Sequence, residues 1–226
     1  MFNDFILSFV LIVYALLIAY FTKRTFDWMI SNNIKKNDAI YYNRKLVHIF
    51  AGGIIALIVP FFSSPYFPLF SGLTLTIFTF ISHKRGKTLY WFQTDNDLND
   101  VSFCFMWGVI VFVLWIIIGD PWIAIIPLTF MAFGDGITGI VRNAILKKRT
   151  KHPIGNIFML AMCAPIGYAL AYLSDIPEIT IWGVIAAIVA SIVERYEIGP
   201  IDDNILITVS SSIVLYLGFL ISVVKI

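Results

Sequence analysis

The stretch AFGDGITGIVR at Ala132–Arg142 places a carboxylate, Asp135, at the end of an apolar run. A charge at the centre of a bilayer costs about 2.5–3.5 kcal/mol on insertion scales, so such residues usually face a protein interior and serve function. On a helix, Thr138, Gly139 and Arg142 share the face of Asp135. We therefore predict a polar stripe that leads from Asp135 to one membrane surface.

A second acidic group, Asp202-Asp203-Asn204, lies in the segment GPIDDNILI. One of these residues is explained as a helix N-cap, for which Asp and Asn are favoured. Three in a row exceed that need, and carboxylates beside an amide oxygen form the hard-oxygen set that Mg²⁺ uses. From the motif alone, capping and metal binding both stay open.

Two basic segments accompany these acids. Arg44, Lys45 and His48 lie together in NRKLVHI, and Lys151 precedes Gly155 just before a predicted helix start. Arg holds a phosphate bidentately, Lys acts as a point charge, and helix N-termini offer free N–H groups. Basic loops are also explained by cytoplasmic location or by attraction to anionic lipid. Together with the acids, they suit phosphoryl or nucleotidyl transfer, which depends on positioning and charge neutralisation.

The composition identifies the elements that must position these groups. The chain has 226 residues, of which 59% are hydrophobic and 13% charged, whereas soluble domains are nearer a quarter charged. We predict an all-α integral membrane protein with one transmembrane domain, residues 1–226. Within it, residues 1–41 form an N-terminal helix and a cytoplasmic loop, and residues 42–226 form the core. The two cysteines, Cys104 and Cys163, lie in apolar runs and are predicted to be packing residues.

About eight apolar segments approach the length of roughly 17–25 residues that spans a bilayer as a helix. They are Phe5–Phe21, Leu46–Phe62, Tyr66–Ser82, Val101–Ile118, Trp122–Val141, Asn156–Leu173, Ile179–Val193 and Ile205–Val224. Every Lys and Arg except Lys225 falls in four alternate loops, Thr22–Lys45, His83–Asp100, Arg142–Gly155 and Glu194–Asn204. Because positive loops face the cytoplasm, we predict that both termini lie outside. The loop His83–Asp100 is interpreted as a solvated loop, with a lid as the alternative.

Four short motifs, in this order, resemble those of the polyprenol kinase family, which includes CTP-dependent phytol, geranylgeraniol and dolichol kinases. They are RKLVHI at Arg44–Ile49, GDGITGIVR at Gly134–Arg142, KHPIGN at Lys151–Asn156 and IDDNI at Ile201–Ile205, and Val193-Glu194 also fits. The resemblance covers the chain from about Tyr42 to its end. Thr138-Gly139 stand where the family has Ala-Asp, and His152 and Asn156 replace the two serines of its KSxxGS element.

The resemblance implies a multi-pass kinase that transfers the terminal phosphate of CTP, with Mg²⁺, to an isoprenoid alcohol such as phytol, geranylgeraniol or a dolichol-type polyprenol. The expected catalytic residues are Asp135, His48 and Asp202. The expected metal ligands are Asp202, Asp203, Asn204 and Asp135. The expected nucleotide and phosphate contacts are Arg44, Lys45, Arg142, Lys151, Gly155 and Glu194.

Several alternatives stay open. Asp135 is either a metal ligand or the general base. A cytidylyltransferase that joins CMP to a lipid phosphate would use similar groups, and a small ion-coupled transporter would use Asp135 as its coupling site. The expected partners are a bilayer, a lipid alcohol and a nucleoside triphosphate, with no nucleic acid. The expected location is the cell membrane, with the site on its cytoplasmic side.

Overall fold

The structure is a computed structural model that describes residues 2–86, 88–94, 97–147, 150–196, 198 and 201–224. Within these ranges it contains helices and no β-strand, apart from one isolated bridge between Ile198 and Ile201. The all-α prediction is therefore confirmed for the described part of the chain. Residues of the predicted loops and C-terminus that lie outside the described residues are Lys87, Asp95, Asn96, Lys148, Arg149, Glu197, Gly199, Pro200, Lys225 and Ile226.

The helices follow one another through short connections. They are α1 Phe2–Ser31, α2 Lys36–Val47, α3 Ile54–Ile58, α4 Tyr66–Lys84, α5 Asn99–Ile118, α6 Pro121–Ala124, α7 Ile126–Thr129, α8 Asp135–Leu146, α9 Ile154–Tyr172, α10 Ile179–Val193 and α11 Asp203–Val224. Two π-helical segments, His48–Gly53 and Phe130–Gly134, join α2 to α3 and α7 to α8. The chain is therefore helical without a break through each of these junctions.

Six helices in the described ranges are long and apolar enough to cross a membrane. They are Asn3–Ser31, Lys36–Phe61, Asn99–Ile118, Pro121–Leu146, Ile154–Tyr172 and Asp203–Val223. The other two predicted spans fall on α4 and on α10, which is apolar but has 15 residues. The protein thus has the helices of a multi-pass membrane protein, while the count of eight spans and the side of the termini stay predictions.

The predicted loop Thr22–Lys45 is largely helical, which corrects the sequence-based boundary. Helix α1 continues to Ser31, and the next helix begins at Lys36. Phe26 in this extension packs with Ala39 on α2 and with Trp91 and Phe92 in a second, smaller core. Polar residues at the membrane surface ended the apolar pattern there, but burial of the apolar face sustains the helix beyond it.

The segment 83–100 belongs to the same smaller core, so its described part is packed against the helices. Trp91 and Phe92 are buried, and Trp91 Nε1 donates a 2.8 Å hydrogen bond to the carbonyl of Ala19 on α1. Asn43 on α2 donates through Nδ2 to the Trp91 carbonyl at 2.9 Å. The interpretation of this segment as a solvated loop is therefore wrong for these residues.

The interrupted helix Pro121–Leu146 lies at the centre of the bundle. In an apolar stretch of 18 residues within this helix, 83% of the residues are buried, compared with 22% in a stretch of the same length in α1. Around it, close helix approaches depend on paired glycines. A Cβ at Gly72 would lie 2.7 Å from Gly108 Cα, and one at Gly167 would lie 3.0 Å from the Gly183 carbonyl carbon. Such small residues let the backbones of membrane helices pack closely.

Candidate active site

A polar cavity of about 430 Å³ lies at one end of the bundle, where segments distant in sequence meet. Its volume falls within the range of roughly 300–1,000 Å³ that is usual for small-molecule sites. The cavity is lined by Tyr41, Arg44, Lys45, His48, Asn99, Asp135, Arg142, Thr150, Lys151, Glu194, Asp203 and Asn204. Nine of the eleven residues predicted for the site are among them.

The two π-helical segments position two of these residues. His48 opens the first segment, and Asp135 directly follows the second, and the two segments pack against each other. π-Helical turns leave the regular hydrogen-bond pattern and occur often at functional sites. Trp107 Nε1 donates to the carbonyl of Gly52 at 3.1 Å, so a side chain from α5 satisfies the altered backbone. The interruption therefore brings an imidazole and a carboxylate together inside the bundle.

Asp135 is almost fully buried and is held by Lys45. The ammonium Nζ donates to Oδ1 at 2.6 Å and to Oδ2 at 2.5 Å. His48 Nδ1 lies 3.4 Å from Oδ2 and makes no hydrogen bond within the described part of the chain. A buried polar atom without a partner is unusual and calls for an explanation. The Asp135 carboxylate is the polar group that faces this nitrogen.

Gly139 explains how Lys45 reaches Asp135. A Cβ at this position would lie 2.7 Å from Lys45 Cε and 2.9 Å from Tyr41 Cζ. Any larger residue there would displace the Lys45 and Tyr41 side chains. The Thr138-Gly139 pair, which departs from the family motif, thus has a local physical reason. Thr138 itself donates to the carbonyl of Gly155 at 3.2 Å and so links α8 to α9.

Glu194, at the end of α10, is the second buried carboxylate. Arg142 binds it with both terminal nitrogens, at 2.8 Å from Nη1 to Oε1 and 2.5 Å from Nη2 to Oε2. The same guanidinium donates to the His152 carbonyl at 2.9 Å and to Asn156 Oδ1 at 3.2 Å. Bidentate pairs of this kind are strong and geometrically specific. Arg142 therefore joins α8, α9 and α10 rather than standing free for a phosphate.

Three carboxylates meet in the cavity in a way that could hold a metal ion. One oxygen each from Asp135, Glu194 and Asp203 lie within 4.8 Å of one another. Asn204 beside them is 1% exposed, and its Oδ1 has no hydrogen-bond partner in the described ranges. Lys151 Nζ approaches Asp203 Oδ2 at 3.1 Å. The donor set consists of hard oxygens, which fits Mg²⁺.

Asp202, predicted as a catalytic residue and metal ligand, does not line the cavity. Its carboxylate accepts a hydrogen bond from Ser102 on α5 and caps α11 through the N–H of Ile205 at 3.1 Å. Burial raises the pKa of this carboxyl above its ordinary value. Asp202 therefore caps helix α11. Glu194, which was not predicted as a metal ligand, lies with Asp135 and Asp203 where the carboxylate of Asp202 was expected.

Gly155, predicted to let phosphates approach, does not line the cavity either. A Cβ there would lie 2.7 Å from Thr138 Cγ2 and 2.8 Å from Arg142 Cζ. The glycine therefore makes room for the Arg142 side chain. Among the predicted phosphate contacts, Arg44 does line the cavity, and its Nη1 lies 3.2 Å from Asp97 Oδ1 in the segment before α5.

Sequence analysis missed three residues of the cavity wall, Tyr41, Asn99 and Thr150. The Tyr41 ring lies 5.3 Å from Lys45 Nζ, within reach of a cation–π interaction. Its position four residues before Lys45 on a helix was the available signal. Asn99 begins α5, and Thr150 lies in the connection between α8 and α9. No local pattern revealed that either residue would reach the cavity.

Comparison with known proteins does not identify a related site. No protein-family model, curated protein or solved structure matches the chain. The polyprenol kinase resemblance therefore stays an expectation drawn from four short motifs.

The chemistry of the cavity follows from its charges. Among the described residues, the wall carries four cationic side chains, three anionic ones and one imidazole. The cations are Arg44, Lys45, Arg142 and Lys151, and the anions are Asp135, Glu194 and Asp203. Such a set can bind an anion together with a divalent cation and can accept a proton beside them.

Proposed function

We propose that the protein is a membrane-embedded lipid kinase that transfers the terminal phosphate of CTP to an isoprenoid alcohol at the cytoplasmic face of the cell membrane. One observation carries the proposal: a cavity with three converging carboxylates and four cations lies among helices apolar enough to span a membrane. The choice of CTP and of an isoprenoid acceptor rests on the motif resemblance. The cytoplasmic location rests on the distribution of Lys and Arg.

Asp135, Glu194 and Asp203, with the amide oxygen of Asn204, would hold Mg²⁺. The unpartnered Asn204 Oδ1 and the spacing of the three carboxylates support this assignment. Bound Mg²⁺ would neutralise charge that develops on the transferred phosphate. Arg142 fixes the orientation of Glu194 through its bidentate contact and so acts as a positioning residue.

Lys45, Arg44 and Lys151 are the cations that would face the phosphates. Lys45 and Lys151 already approach two of the carboxylates, Asp135 and Asp203. A nucleotide with its divalent cation would therefore meet groups of both charges in one cavity. Fixed charges of this kind stabilise phosphoryl transfer because they need no rearrangement during the reaction.

In the proposed step, the acceptor hydroxyl oxygen attacks the γ-phosphorus of CTP and forms a new P–O bond. The bond from this phosphorus to the β–γ bridging oxygen breaks, and CDP leaves with that electron pair. His48 takes the hydroxyl proton, since it is the one imidazole among the described residues that line the cavity. Asp135, 3.4 Å from that nitrogen, stabilises the imidazolium that forms. This assignment makes His48 the base and Asp135 its partner as well as a metal ligand.

The decisive experiment is a transfer assay with the purified protein, Mg²⁺ and CTP labelled in either the γ- or the α-phosphate. Phytol, geranylgeraniol and a dolichol-type polyprenol are offered as acceptors. We expect the γ label to move to lipid, and a His48→Gln variant purified in parallel to be slower by about 10²–10⁴-fold. Transfer of the α label to a lipid phosphate, offered in a parallel reaction, would indicate a cytidylyltransferase. Absence of any transfer, with nucleotide-independent ion flux in vesicles, would indicate a transporter.

A further inference from the structure

An apolar groove adjoins the polar cavity and runs between α1, the interrupted helix Lys36–Phe61, α4 and α5. Its surface is almost wholly apolar. Arg44 and His48 line both the groove and the cavity. The two spaces therefore meet at the imidazole, so a molecule that occupied both would need one polar end and one apolar body.

Three side-chain contacts fix the first π-helical segment, which forms part of the groove wall, against α1 and α5. Tyr14 Oη on α1 donates to the carbonyl of Phe50 at 2.9 Å, and Trp107 on α5 donates to that of Gly52. The His48 ring stacks on Phe103, with ring centroids 4.0 Å apart. The first π-helical segment is thus fixed to α1 and to α5, and the groove is formed before any ligand enters.

The groove opens sideways between α1 and α4. On its α5 wall, Phe103 and Trp107 are each 7% exposed. On the opposite side, Leu16 on α1 is 41% exposed and Phe78 on α4 is 50% exposed. In a bilayer, this opening faces lipid chains.

The groove extends from His48 at the cavity to Phe62 at the far end of the interrupted helix. With a rise of 1.5 Å per residue, these positions are about 21 Å apart, which is a large part of the ~30 Å hydrocarbon core of a bilayer. The groove therefore has the length of an extended hydrocarbon chain. Its volume of about 120 Å³ takes up part of such a chain, and the remainder would lie in the lateral opening.

We infer that this groove holds the hydrocarbon chain of the acceptor alcohol, which enters from the bilayer between α1 and α4 and brings its hydroxyl to His48. The identity of the alcohol rests on the proposed function. A peptide segment fits poorly, because an almost wholly apolar wall offers its backbone groups no hydrogen-bond partners. A single chain with a small polar end matches both the groove and its junction with the cavity.

A labelling experiment tests the location without requiring phosphate transfer. The purified protein in lipid nanodiscs is irradiated with a geranylgeraniol analogue that carries a diazirine on its chain, and labelled peptides are identified by mass spectrometry. We expect label on the groove faces of α1 and α4, and we expect unlabelled geranylgeraniol to compete. Label confined to α9–α11 would overturn the inference, as would equal labelling of α1 and α4 by a diazirine phosphatidylcholine that geranylgeraniol does not displace.

A matched pair of substitutions tests the groove through activity. Leu16→Trp narrows the groove mouth, whereas Leu17→Trp places the same ring on the neighbouring residue, which is 60% exposed and outside the groove. We expect Leu16→Trp to lower the ratio of geranylgeraniol to prenol phosphorylation at least tenfold, because the short alcohol needs little of the groove. We expect Leu17→Trp to leave this ratio unchanged.

The two proposals can fail separately. Transfer of the γ label with an unchanged ratio in Leu16→Trp and no label on α1 or α4 would overturn the groove and leave the kinase standing. Competed label on α1 and α4, with no transfer from any nucleotide, would support the groove as a site for the alcohol and overturn the kinase.

Discussion

Asp135 and Glu194 are two buried carboxylates in one cavity, and each is paired with a cation from another helix. Glu194 faces a guanidinium that also binds a backbone carbonyl and an amide, so its partner is committed to holding three helices together. Asp135 faces the flexible ammonium of Lys45 and an imidazole nitrogen without a hydrogen-bond partner in the described ranges. The two carboxylates are buried to a similar extent, but the partner of Glu194 is fixed by further hydrogen bonds, whereas the Lys45 ammonium is bound mainly to Asp135.

This difference indicates that the Arg142–Glu194 pair is structural, whereas the Lys45–Asp135 pair can open when a ligand binds. An Arg fork keeps its geometry when a ligand binds, because its planar donors are already satisfied. A Lys ammonium can turn from a carboxylate to a phosphate, since it is a point charge on a flexible stem. We therefore expect substitutions at Asp135 to affect chemistry most and substitutions at the Arg142–Glu194 pair to affect stability most.

The largest effect is expected for Asp135→Asn. The change removes a metal ligand and the partner of the His48 imidazolium, so we expect transfer to fall at least about 100-fold, the size typical for a lost group that stabilises the transition state. The measurement is the initial rate of γ-label transfer, together with Mn²⁺ binding followed by electron paramagnetic resonance. Asp97→Asn is the matched control, because Asp97 also pairs with a cation, Arg44, but its side chain is 35% exposed.

We expect Asp97→Asn to lower the rate by no more than a few-fold and to leave Mn²⁺ binding intact. Equal losses in the two variants would contradict the distinction between Asp135 and an ordinary ion pair.

The second effect concerns stability. Glu194→Gln leaves the buried guanidinium of Arg142 without a countercharge, and breaking such a pair costs about 3–5 kcal/mol. Thermal unfolding in detergent should show this loss. The double variant Arg142→Met/Glu194→Met should recover most of the stability, because apolar replacement of a buried pair is often neutral.

Recovered stability without recovered transfer would support Glu194 as a metal ligand. Recovery of both would show that the pair serves the fold alone and would remove Glu194 from the metal site.

The smallest effect is expected for Asp202→Asn. Asn caps helices as well as Asp does. The substitution also removes a partly buried carboxyl group, whose pKa is raised by burial. We expect transfer within twofold of wild type and a change in unfolding free energy within about 0.5 kcal/mol, the range usual for substitutions away from special features. Asp202→Ala should instead cost about 1 kcal/mol through loss of the cap. A large loss of transfer in Asp202→Asn would return Asp202 to the catalytic site.

Much of the fold was predictable because its signals are local. Apolar segments gave six of the long helices, since backbone groups in lipid must be satisfied within a helix. The boundaries near Ser31 and Lys36 were missed because the cluster that joins Phe26 to Trp91, residues far apart in sequence, extends the helices past the apolar runs. The packed segment around Trp91 was missed for the same reason.

Most residues of the candidate site could be predicted from the sequence, but the pairs that they form could not. Buried charges in apolar runs attract attention because lipid excludes them, and Asp135 was found in this way. Lys45 was found in a basic segment, and Glu194 through the family resemblance. Their partners depend on which helices adjoin. No pattern within the motif IDDNI distinguishes the capping Asp202 from Asp203, since both precede the same helix.

By itself, the sequence determined that the chain forms long apolar helices whose charged residues collect at their ends, because hydropathy and helix periodicity act over a few turns. Only the tertiary structure decided that Glu194 joins Asp135 and Asp203, that Gly139 and Gly155 make room for Lys45 and Arg142, and that an apolar groove meets the cavity at His48. The physical reason is that pairing, close approach and cavities arise between helices, from the packing of side chains that lie as many as 102 residues apart in the chain.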